Sequence, residues 1–134
     1  MANALFPKWK EQLLQFTANN NLSAGTVKVA LVDTGVYTYN AADQFYTSVS
    51  SAVVGTPQTI GSKTFTNGVF DGADATFTAV TGASIEALVL YVDTGSAATS
   101  PLVAYIDTSV TGLPVTPNGG DISITWNASG IFAL

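Results

Sequence analysis

The chain has 134 residues, with four lysines, no arginine and nine acidic residues, for a net charge of −5; 47% of it is hydrophobic and only 10% is charged. Ordinary globular domains carry about 25% charged residues, so neither a phosphate-neutralising nucleic-acid surface nor a basic membrane-surface patch is expected. With no cysteine and no histidine, disulfides, a zinc site built on these ligands and a nucleophile triad with an imidazole base are excluded, and no cofactor is expected.

The length suits one domain over 1–134 with a core large enough to need no staples. The opening residues lack a charged lead into an apolar run, so no secretion signal is expected there. No apolar stretch approaches the roughly 18–20 residues of a membrane span. Residues 5–18 are predicted to form a short amphipathic helix. Leu5, Trp9, Leu13 and Phe16 recur at spacings of three and four and share one face. Pro7 suits the first turn, and Asn19-Asn20-Asn21 are expected to end the helix, because asparagine tolerates the left-handed conformation of a C-cap. Trp9, Leu13 and Phe16 are candidate protein-contact residues; the alternative is that this face docks on the domain's own sheet.

From residue 26 the period changes to two. Val27, Val29 and Leu31, then Phe77 and Ala79, then Ile122, Ile124 and Trp126 alternate with polar or small residues, which predicts half-buried antiparallel strands with one face wet. Residues 87–92 and 102–106 are apolar on both faces and are predicted to be central strands. Asn67-Gly68 and Asn118-Gly119-Gly120 supply the positive φ angles of tight turns, and Pro57, Pro101, Pro114 and Pro117 are placed at strand borders or in loops. The expected architecture is mainly β: an antiparallel β-sandwich or jelly-roll-like domain over 26–134 behind a short N-terminal helix. Residues 34–59 fit least well and read as a long loop or an irregular strand pair. Their aromatic residues Tyr37, Tyr39, Phe45 and Tyr46 are a second set of candidate contact residues, since long loops in compact domains are usually functional; with Phe70 they are also candidates for stacking on a sugar.

Asp33-Thr34-Gly35 and Asp93-Thr94-Gly95 each follow an apolar strand. Two such loops carry the carboxylate pair of aspartic proteases, in which mutual repulsion splits two pKa values. The two-lobed enzymes are far longer than this chain, and the simpler expectation is a turn in which Asp bonds the backbone and Gly takes the strained position. Asp71-Gly72-Ala73-Asp74 offers oxygens, but not at the spacing of a helix-flanked calcium loop, and is also expected to be a turn. Glu86, among Ile85, Ala87 and Leu88, is expected on the wet side of its strand start. No enzymatic activity is expected.

Several stretches together carry a family resemblance: Lys28-Val29-Ala30-Leu31-Val32-Asp33-Thr34, Lys63-Thr64-Phe65-Thr66-Asn67-Gly68-Val69-Phe70-Asp71, Glu86-Ala87-Leu88-Val89-Leu90-Tyr91-Val92-Asp93-Thr94-Gly95, and, most specifically, Gly112-Leu113-Pro114-Val115-Thr116-Pro117-Asn118-Gly119-Gly120-Asp121, behind a Met1-Ala2-Asn3-Ala4-Leu5 opening. With them the chain resembles small β-rich virion structural proteins of tailed bacteriophages. The resemblance implies a virion component assembled in the bacterial host cytoplasm. Among such components, size, low charge and the absence of a coiled coil or fibrous repeat favour a capsid decoration or cement protein on the capsid exterior. Its partners would be the major capsid protein or other virion proteins, and a homo-oligomer, with a trimer favoured, is expected. The alternatives are a tail, neck or fibre-attachment component, or a carbohydrate-binding adhesin module.

Overall fold

A computed structural model describes residues 3–134; Met1 and Ala2, on which the opening of the resemblance and the expected absence of a secretion signal partly rest, lie outside the described residues. The domain is mainly β, with antiparallel sheets and one short N-terminal helix. A five-stranded sheet forms its centre. In spatial order it contains β1 (Ala4–Leu5), β8 (Leu102–Ile106), β7 (Ala87–Asp93), β2 (Thr26–Val32) and β3 (Val53–Thr59). Two smaller sheets accompany it: β10 (Phe132–Ala133) with β5 (Val69–Asp71) and β4 (Thr64–Thr66), and β6 (Ala75–Phe77) with β9 (Ile122–Ile124).

The two runs apolar on both faces are β7 and β8, buried throughout apart from Asp93 at the end of β7. β2 differs from the expectation of one wet face. Ala30 and Val32 are as fully buried as Val27, Val29 and Leu31. Register explains why. Lys28, Ala30 and Val32 pair with Tyr91, Val89 and Ala87, and Val89 pairs onward with Tyr105. That face is covered by the segment that had no clear prediction. Tyr46 stacks on Tyr91 with ring centroids 4.0 Å apart, and Tyr39 lies 5.4 Å from Tyr105. Short 3₁₀ turns at Tyr46–Ser48 and Ser50–Ala52 lead from this cover into β3. Val27, Val29 and Leu31 pair with Val92, Leu90 and Leu88 on the opposite face. They share one core with Trp9, Phe70, Phe77 and Ile124 from the helix and the small sheets, which makes the domain sandwich-like. β6 and β9 keep the alternation expected of half-wet strands.

Pro57 lies inside β3 rather than at a strand border. β3 is an edge of its sheet, and its ladder to β2 shifts register between Val29 and Leu31, so the missing N–H breaks no central pairing. The Asn67-Gly68 turn is as expected: φ values of 54° and 77° join Thr66 to Val69 in the β4–β5 hairpin, the pattern of a primed two-residue turn.

The helix α1 (Pro7–Gln15) is shorter than the predicted span 5–18. Leu5 belongs to β1, where it pairs with Ala104. Pro7 occupies the first turn as expected. The helix ends three residues before Asn19, at Phe16, which adopts the left-handed conformation (φ 60°, ψ 38°). Phe16 N–H donates to the Leu13 carbonyl and Thr17 N–H to the Gln12 carbonyl, both at 3.1 Å. This is the paired closure of a Schellman-type helix end, a position usually given to glycine.

Candidate functional site

Most of the charged side chains outside the helix are engaged in fold contacts. Asp33 Oδ1 accepts the Gly35 N–H at 2.8 Å and Asp93 Oδ1 accepts the Gly95 N–H at 2.9 Å, the turn geometry expected of Asp-Thr-Gly. The β2–β7 register pairs Thr26 with Asp93 and Val32 with Ala87. The two aspartates therefore sit at opposite ends of the sheet, roughly 20 Å apart at about 3.3 Å per residue, and cannot share a proton within one chain. Asp71 Oδ1 accepts the Gly72 N–H and Asp74 Oδ1 the Trp126 N–H, so both ends of the Asp71–Asp74 stretch hold backbone. Glu86 is half-buried and accepts from both the Thr34 N–H and the Thr34 hydroxyl, tying the end of β2 to the start of β7. Lys63 Nζ donates to the Leu22 and Gly25 carbonyls, each at 2.7 Å. It thereby anchors the loop that follows the helix.

These contacts predict a pH profile with two shoulders. Lys28, 2.8 Å from Asp93, together with the Gly95 N–H, holds the Asp93 carboxyl below the usual range. Ser84 and Thr34 do the same for Glu86. A depressed folded pKa contributes stability that is present above the unfolded value and lost as pH falls through the folded one. Burial raises the phenols of Tyr37 and Tyr91, whose stabilising contribution is present below about pH 10 and declines as pH rises further. Urea midpoints should therefore be flat through neutrality, fall below about pH 4 and fall again above about pH 10. Asp93→Asn should shrink the acid shoulder and only slightly reduce the alkaline one, because burial is the largest cause raising Tyr91 and Asp93 a minor one, and Tyr37 does not depend on Asp93.

The four aromatic residues proposed for contact from the 34–59 segment do not form a free surface. Tyr37 is buried and donates its hydroxyl to Asp43 at 2.8 Å. Tyr39 and Tyr46 lie half-buried against Tyr105 and Tyr91, and Phe45 is half-buried and bridges to Pro101. Phe70, the fifth candidate for sugar stacking, is 3% exposed. Tyr39 and Tyr46 of this loop serve as cover for the central sheet.

The helix residues proposed for contact do share one place. Trp9, Leu13 and Phe16 line an open groove of about 470 Å³ between the C-terminal end of α1, the 17–23 loop and the β4–β5–β10 sheet. Trp9 is buried and meets Phe132 edge-to-face at 5.7 Å; Phe132 lies 5.3 Å from Phe70, which pairs across the hairpin with Phe65 at 5.4 Å. A continuous row of rings thus forms the floor and far wall. Leu13 is half-buried. Phe16, by contrast, is 95% exposed, and Phe65 and Leu134 on the opposite rim are 47% and 73% exposed. Among the described residues, three of the five large exposed hydrophobic side chains stand around this one groove, and no ionisable side chain lines it.

Phe65, Phe132 and Leu134 were not among the residues singled out from the sequence. Their signal was present in the Asn67-Gly68 hairpin, which places Phe65 opposite Phe70. The pairing of Phe132 with Phe70 across more than 60 residues has no local signature. No protein-family model matches the chain, and no curated protein matches it.

Proposed function

We propose that this domain is a structural docking module that attaches to another protein through the aromatic groove. The observation that carries this reading is Phe16. A phenylalanine in the left-handed region costs about 1–2 kcal/mol, and this one recovers almost nothing by burial, being 95% exposed. A costly, solvent-facing ring beside an apolar groove is what a contact surface requires and what folding alone would discard. The absence of ionisable side chains from the lining favours a partner surface that is itself apolar at its centre.

The resemblance to small virion proteins of tailed bacteriophages supplies the finer reading: a virion structural protein, with a capsid decoration or cement role preferred over a tail, neck or fibre-attachment one. A charge-poor, fully packed β domain suits a part that binds between shell subunits and stabilises the assembled state by mass action. Symmetric copies engaging several sites would add avidity. The sugar-binding alternative has less support, because Tyr37, Tyr39 and Tyr46 are used inside the domain.

Phe16→Gly separates function from fold. Glycine removes the left-handed strain, so the isolated domain should gain about 0.5–1 kcal/mol in a urea melt. The copy number of the chain on purified particles should fall severalfold, read by quantitative mass spectrometry against the major capsid protein. Unchanged occupancy, or absence of the wild-type chain from particles, would sink the reading.

A further inference from the structure

The row of rings ends at Phe65 on β4, an edge of the three-stranded sheet. The direction of its backbone follows from its neighbours. The Phe70 carbonyl accepts from the Ile131 N–H at 2.8 Å, on the β10 side, so it faces away from β4. Opposed residues of an antiparallel pair alternate between exchanging hydrogen bonds and not, and the two-residue turn closes on Thr66 and Val69. Phe65 and Phe70 are therefore a non-bonded pair, and the Phe65 N–H and C=O point outward. Thr64, Phe65 and Thr66 are all exposed, and among the described residues no hydrogen bond joins them to anything beyond the β4–β5 hairpin. Free edges are normally guarded by charge, proline or a bulge. β3 has such guards in Pro57 and in Gly55 at φ 72°. β4 has none: the strand is uncharged, and the adjacent Lys63 is turned onto the Leu22 and Gly25 carbonyls.

We infer that β4 pairs edge to edge with β4 of a second copy of this chain, antiparallel about a two-fold axis at Phe65. The strand itself selects this occupant. Thr64-Phe65-Thr66 reads the same in both directions, so the two-fold register sets Phe65 opposite its own mate and each Thr64 opposite the second copy's Thr66. Phe65 then exchanges both of its outward backbone groups with its mate. The two half-exposed rings cover each other on the groove side, and threonine–threonine pairs, favourable across strands, form on the other side. A self-complementary contact of this kind closes at two copies, unlike the trimer that the resemblance implies. Three paired residues bury less than the roughly 1,200 Å² of a stable complex, so the pair is weak in dilute solution and strengthens where copies are held close together. The inference does not depend on the groove as a docking surface. Pairing would set two such grooves side by side, with the Phe65 rings at their shared rim.

The test is sedimentation of the full chain from about 10 μM to about 1 mM, the span over which a weak contact fills. The mass should rise from 13.8 kDa toward twice that value. In parallel, the Phe65 amide should exchange freely with deuterated water when the chain is dilute and severalfold more slowly when it is concentrated. Thr64→Lys with Thr66→Lys sets lysine opposite lysine twice and should weaken association about two- to thirtyfold, although it makes the chain less negative overall. Thr64→Lys with Thr66→Glu sets each lysine opposite a glutamate of the second copy and should restore it. Both positions are exposed and lie off the groove, and the exchange measurement on the wild-type chain stands if a variant does not fold. A chain that stays monomeric, forms trimers, associates equally in both double variants, or associates with the Phe65 amide still unprotected would overturn the inference. None of these outcomes bears on the particle occupancy of Phe16→Gly, so edge pairing and groove docking fail separately.

Discussion

Trp9→Ala is expected to lower the unfolding free energy by about 3–5 kcal/mol, the range for removing a large buried aromatic residue. Trp9 is 2% exposed, packs edge-to-face on Phe132 and donates its indole N–H to the Asn20 carbonyl. It is the one side chain of α1 that is buried, so it carries most of the attachment of a helix only nine residues long. A helix of that length has little stability of its own in water. Its loss would leave a cavity against Phe132 and remove the tie to Asn20, loosening the near wall of the groove while Lys63 still holds Leu22. The measurement is a urea titration followed by circular dichroism, with a reduced midpoint and a thermal transition lowered by roughly 10–20 °C for a domain of this size. Trp9→Phe should recover much of the packing but not the indole hydrogen bond. A loss below about 1 kcal/mol would mean that the helix is not anchored through this residue.

The elements that were readable from the sequence are those whose signal is local. β7 and β8 are continuous apolar runs, and the Asn67-Gly68 turn can be read from two residues. What escaped depended on contacts between distant segments. The second face of β2 reads as half-wet from Lys28 and Ala30 alone. It is buried because Tyr39 and Tyr46, from a segment without regular periodicity, lie over Tyr105 and Tyr91. The same fact changes the meaning of the aromatic loop, since rings that looked available to a partner are the inner surface of a cover. The helix end was misplaced for a different reason. Propensity points to asparagine at a left-handed position, and Asn19 does adopt one (φ 67°), but Phe16 takes it first. The early left-handed closure at Phe16 leaves its ring on the exposed rim of the groove, while Trp9, two turns earlier on the same face, packs into the core.

Residues 112–121 are tied to the fold at several points, and Gly112→Ala should show how tightly. Val115 exchanges two backbone hydrogen bonds with Ile85, and Val80 exchanges a pair with Gly119 and Gly120. Asn118 Oδ1 accepts the Gly120 N–H, and Asp121 Oδ1 accepts the Ala79 N–H. Gly112 begins this run directly after Thr111, which exchanges two backbone bonds with Thr125 beyond the end of β9. Its φ is +118°, where only glycine is at ease, and an added Cβ would stand 2.5 Å from the Ser123 carbonyl oxygen and 3.0 Å from Ile124 Cδ1. The nearest obstacle is backbone, which cannot swing aside as a flexible side chain would. Strain of about 1–3 kcal/mol and displacement of β9 from β6 should together cost about 3 kcal/mol or more, read as a lower urea midpoint. Gly95→Ala is the matched control. It shares a positive φ (+91°) but has nothing within 4 Å of the added carbon, so it should lose only the conformational part. If the two variants were equally stable, close approach to β9 would not be the reason for a glycine at 112, and the specificity of the 112–121 stretch would have to come from a contact outside the domain rather than from its own packing.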